Sequence, residues 1–134
     1  ARVLDPAGVT GELSPRFGAF AGWGGWRMSM RDHATLLWHW FGPNGPIGEN
    51  LLSLPHIARA EGSYYGLGMN YVADGDGFRV SHAGALSFPF GPKTGAFAVV
   101  FPSNAVATMG YDVAIADPMR FRALVEGLGE LLNP

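Results

Sequence analysis

The spacing of apolar residues changes period along the chain. From Ser29 to Phe41 the run SMRDHATLLWHWF sets Leu36, Leu37, Trp40 and Phe41 on one broad face, which predicts an amphipathic helix. Ser29 is a favoured N-cap type. Asp32 stands three residues on, where a capping-box acid would sit, and Gly42-Pro43 stops the helix. From Tyr65 to Val72 the pattern alternates, with Tyr65, Leu67, Met69 and Tyr71 facing one way, which predicts one strand. Ala73 to Gly77 is a polar hairpin turn. Further strands are predicted over Phe78–His82, Ala96–Phe101 and Ala105–Tyr111, with a glycine-marked turn at His82-Ala83-Gly84. Asp117-Pro118 then starts a helix on which Phe121, Leu124, Val125, Leu128, Leu131 and Leu132 form an apolar stripe.

The remaining segments have no clear period. Residues 1–28 are rich in Gly and Pro, but Trp23 and Trp26 are costly to leave in water, so an ordered, packed loop is expected. Gly42 to Gly48 is turn-rich, and Pro55 to Ala60 reads as a short helix with Pro in its first turn. The expected fold is α+β, an antiparallel sheet flanked by helices within one domain spanning 1–134. Residues 1–62 form a loop and helical segment, and 63–134 supply the sheet strands and a C-terminal helix.

Composition narrows the possible partners. Charged residues make up 15% of the 134, against about 25% in an average domain. That deficit suggests surface buried against a second domain or chain. The net charge is -2 and the cations are scattered, which argues against a nucleic-acid partner. With no cysteine, disulfides and a cysteine nucleophile are excluded. The longest apolar run, Ala96 to Phe101, is too short for a membrane span. The four histidines lack ligand spacing, so no metal and no cofactor is expected.

The order of pieces resembles the C-terminal part of the serine β-lactamase and penicillin-binding-protein superfamily, closest to its class C β-lactamase, esterase and D-aminopeptidase branch. AGWGG followed by SMRDHATLL is similar to a glycine-rich segment leading into an S-x-x-D-L helix. ENLLSLPHIARA resembles an LLSPE segment, YYGLGMNY a YGLGW strand, and SHAGAL the third motif, written KTG or H-x-G. AFAVVFPSNAVATMGYD is similar to the last two strands. The resemblance runs from about Gly22 to Leu132, and no single piece of it is specific.

The resemblance implies a β-lactamase/transpeptidase-like fold and a serine hydrolase acting on an ester, amide or peptide bond of a small-molecule substrate. It implies that Ala85 supplies a backbone N–H to the oxyanion hole and that His82 occupies the first motif position, where Lys or His serves a substrate carboxylate or tunes the site. Ala83 and Gly84 would line the substrate. Ala83 replaces the usual Thr or Ser, which leans away from penicillins. The family's S-x-x-K nucleophile is absent: the chain has a single lysine, Lys93, and no serine three residues before it. The partner implied is therefore an N-terminal half carrying the nucleophile, on the same or a separate chain. The alternative is a catalytically inactive homologue that binds a ligand or partner. Lys93-Thr94-Gly95 spells the third motif literally, but it follows Gly91-Pro92 and is expected to be a turn.

Overall fold

The computed structural model describes residues 2–4, 10–13, 26–87, 93–111 and 118–132. The N-terminal residues form a small antiparallel sheet of β1 (Arg2–Leu4), β2 (Thr10–Leu13) and β3 (Trp26–Arg27). Strands thus occur where a loop was expected. Trp23 lies outside the described residues.

Helix α1 spans Met30–Phe41. Its start follows from the sequence: the Asp32 N–H donates to Ser29 Oγ at 3.0 Å, satisfying one of the orphan donors of the first turn. At its end the Gly42 N–H donates to the Trp38 carbonyl. A 3₁₀ segment over Gly48–Ser53 then buries Leu51.

Six strands follow as an antiparallel meander: β4 (Ile57–Ala60), β5 (Ser63–Gly66), β6 (Met69–Asp74), β7 (Gly77–Ser87), β8 (Lys93–Val100) and β9 (Val106–Tyr111). Helix α2, Pro118–Leu132, closes the chain. The architecture is α+β, with one helix on each face of the sheet. One face packs Met69, Tyr71, Val80, Ala98 and Val100 against Leu37 of α1 and Leu51. The other packs Phe97, Val99 and Phe101 against Leu128 and Leu132 of α2. Full burial of one such Val, Leu or Phe side chain contributes roughly 1.5–3 kcal/mol.

Four local expectations are corrected. Pro55–Ala60 does not form a helix; Ile57–Ala60 is β4, paired with β5. Leu54 is extended, as a residue before proline prefers, so the chain enters Pro55 outside the helical region. The single strand expected over Tyr65–Val72 is a hairpin. Leu67 at φ 52° and Gly68 at φ 78° form its two-residue turn, the signature of type I′. In consequence Tyr64, not Tyr65, shares the face of Tyr71. His82-Ala83-Gly84 is no turn but the middle of β7. Lys93-Thr94-Gly95 is no turn either; it opens β8 and pairs with Ser87-Leu86-Ala85.

Tyr71 is the hub of the first core. Its side chain is fully buried, and its hydroxyl donates to the Gly66 carbonyl at 2.6 Å. Burial also raises its pKa. Tyr71→Phe keeps the ring and removes this bond, while the Gly66 carbonyl keeps its ladder bond to Met69. Urea denaturation is expected to show a loss of about 0.5–1.5 kcal/mol. A loss under about 0.5 kcal/mol would mean the bond adds nothing net to stability.

Candidate functional site

The site is built by a mismatch in strand length. Gly75 and Asp76 join β6 to β7, and Asp74 pairs with Gly77. Gly75, at φ 60°, takes the left-handed first position of a type II′ turn. In a two-residue hairpin the closing pair exchanges both hydrogen bonds, and such pairs recur at every second residue. The backbone groups of the odd-numbered residues of β7 therefore aim toward β6, and those of the even-numbered residues toward β8. The contact of Asn70 Nδ2 with the Ser81 carbonyl, at 3.5 Å, agrees with this.

Pairing with β6 ends at Asn70 and Ser81, whereas β7 continues to Ser87 with β8 beside it throughout. Ala83, Ala85 and Ser87 thus turn their N–H and C=O groups to an edge on which no strand lies among the described residues. The proposed oxyanion donor, the Ala85 N–H, is one of them.

His82 and Gly84 project to the α1 face. His82 Nδ1 lies 2.6 Å from the Gly68 carbonyl. A carbonyl oxygen only accepts, so Nδ1 carries the proton, and Nε2 of the neutral ring keeps its lone pair. Nε2 is also the atom nearest to position 84, at 3.7 Å from where a Cβ would stand. His33 of α1 lies close enough to feel the same ring. Burial first, and the charge of His82 second, lower its pKa from 6.5, so the fold favours neutral His33.

The two glycines of the competing motifs differ. Among the described residues a Cβ at Gly84 would meet only His82 Nε2, at an ordinary contact distance, so nothing described requires glycine there. A Cβ at Gly95 would collide with the ring of Tyr111, which crosses over Gly95 and brings its hydroxyl to 3.4 Å from the Gly84 carbonyl. Gly95 has a packing reason. Gly84 has none among the described residues.

One cluster escaped sequence reasoning. Arg59 of β4 donates from Nη1 to Asn70 Oδ1 at 2.9 Å, with its guanidinium carbon 4.5 Å from the centroid of Tyr65. Arg59 and Asn70 are 11 residues apart, on β4 and β6, so the pair follows only once β4 is a strand beside β5 and the chain turns back at Leu67-Gly68.

Other parts of the molecule offer less chemistry. A cleft of about 340 Å³ opens at the far end of β7, between Phe41, Leu51, Phe78, Val80, Val100 and Pro102. Among the described residues Asp76 is its one charged lining residue, and His82 does not line it. Among the described residues no three His, Cys, Asp or Glu side chains cluster as metal ligands. No described helix is long and apolar enough to cross a membrane. In comparisons with known proteins, the chain matches no family model, no curated protein and no solved structure.

The contrast between the glycines gives a test on stability alone. Gly84→Ala is expected to change the unfolding free energy by less than about 0.5 kcal/mol. Gly95→Ala should cost about 1–3 kcal/mol through overpacking, and Tyr111→Ala in the same chain should recover part of that loss. A large cost at Gly84 would assign that glycine to packing instead.

Proposed function

We propose that this chain is the C-terminal portion of a β-lactamase-like serine hydrolase, which cleaves an ester, amide or peptide bond through an acyl-enzyme. One observation carries the reading. β7 runs past β6, so that among the described residues Ala83 and Ala85 present backbone groups no strand pairs with, beside a glycine that no described contact requires. Such an edge can hold the substrate as an added strand. The lack of a side chain at Gly84 lets it approach the backbone closely.

In this mechanism the nucleophilic serine belongs to an N-terminal part. Its oxygen gives its proton to a base of that N-terminal part and attacks the carbonyl carbon, the C=O π pair moves onto oxygen, and the same proton is later passed to the leaving group. The Ala85 N–H, together with the N–H of the serine itself, stabilises that oxyanion. Collapse expels the alcohol or amine, which takes a proton, and water then cleaves the acyl-enzyme. His82, with Nε2 over Gly84, is an acceptor for a proton at that end of the substrate. The N-terminal part would also pair with the outer edge of β9, which ends the described sheet.

A second reading, a catalytically inactive binding module, is favoured by one specific feature: no S-x-x-K occurs in the 134 residues. A free strand edge binds a peptide without any nucleophile.

A fluorophosphonate probe separates the two. The isolated chain is expected to remain unlabelled, and its assembly with the N-terminal part to label stoichiometrically. In that assembly Ala85→Pro, which removes an N–H that no strand uses among the described residues, should slow labelling by about 10²–10³-fold. Stoichiometric labelling of the isolated chain would overturn the placement of the nucleophile. An assembly that holds a peptide but never labels would leave the binding module as the correct reading.

A further inference from the structure

The free edge of β7 has a polarity. β6 is antiparallel to β7 and begins with Met69 just past the Leu67-Gly68 turn, with Asn70 opposite Ser81. A ligand strand that extends the same lane antiparallel to β7 runs in the direction of β6. Its C-terminal end therefore arrives at the Leu67-Gly68 turn.

The groups waiting there are cationic or hydrogen-bonding. His82 stands on the α1 face, bonded to the Gly68 carbonyl. On the opposite face stands Arg59, fixed by Asn70 and by the ring of Tyr65. Tyr65, Asn70 and Ser81 are register partners across β5, β6 and β7, so the chain Arg59–Asn70–Ser81 carbonyl leads to the residue where the free edge begins. A guanidinium has five N–H donors in a planar fork. Only the donor to Asn70 is engaged among the described residues, while the cation–π contact with Tyr65 helps hold the group. Such a held fork suits a carboxylate, which it can engage through two parallel bonds.

We infer that Arg59 is a specificity-determining residue that anchors a free carboxylate at the C-terminal end of a strand-like ligand. The ligand class is a peptide, or a peptide-like molecule, with an unblocked α-carboxylate. The inference rests on the β7 lane proposed above. It adds a residue from β4, on a different hairpin from the motif strand.

The test uses two probes on the whole chain: an N-acetylated, dye-labelled pentaalanine with a free C-terminal carboxylate, and the same peptide as its C-terminal amide. Fluorescence anisotropy is expected to show about tenfold tighter binding of the acid at low salt. The preference should shrink as salt rises and vanish in Arg59→Gln, whose binding of the amide stays at the wild-type level and reports an intact lane. Equal binding of both probes to the wild-type chain, or a preference that survives Arg59→Gln, overturns the role of Arg59 and leaves the lane standing. If neither probe binds, the lane fails and the inference fails with it.

Discussion

The unequal lengths of β6 and β7 are the constraint on which the candidate site depends. β6 has six residues and β7 has eleven, with β8 beside most of the longer strand. The short strand is cut at both ends by two-residue turns, Leu67-Gly68 and Gly75-Asp76, each of which needs a residue in the left-handed region. Gly68 and Gly75 adopt it without a side-chain penalty, whereas Leu67 does so at about 1–2 kcal/mol. The bond from His82 to the Gly68 carbonyl offsets part of that cost and holds the turn beside the emerging edge.

A strand edge left open is a hazard unless it is used or protected. Here the ladder to β8 and the packing of Val80, Ala98 and Val100 under α1 hold the strand in place. The backbone is thus held where, among the described residues, no strand pairs with its donors. The apolar residues left in solvent, Trp38, Ile57 and Leu131 among them, fit the low charge fraction and surface that further chain would cover.

Much of this was legible from residues alone. The Ser29 cap, the Gly42 stop and the helix between them rest on local chemistry, and they stand where the sequence puts them. The strands from Phe78 to Tyr111 and the last helix follow from simple periodicity. Three of the errors concern where a strand turns; the helix expected over Pro55–Ala60 is a different one, overridden by the pairing of β4 with β5. YYGLGMNY reads as one alternating strand because nothing local forces Leu67 into the left-handed region; pairing with β4 and β7 does. His-Ala-Gly and Lys-Thr-Gly look like turns because glycine is a turn residue, yet both lie in strands. Gly95 is there to admit Tyr111. Arg59 was invisible because its own segment read as a helix and its partners, Tyr65 and Asn70, sit on the two strands of a hairpin that the alternation concealed.

The central claim, that the far half of β7 offers its odd-numbered backbone groups to a free edge, has a direct readout in residue-resolved amide hydrogen exchange. The account predicts slow exchange at His82, Gly84 and Leu86, whose N–H groups bond to β8, and fast exchange at Ala83 and Ala85 between them. Uniform protection from His82 to Leu86 would contradict it, because the edge would then already be occupied.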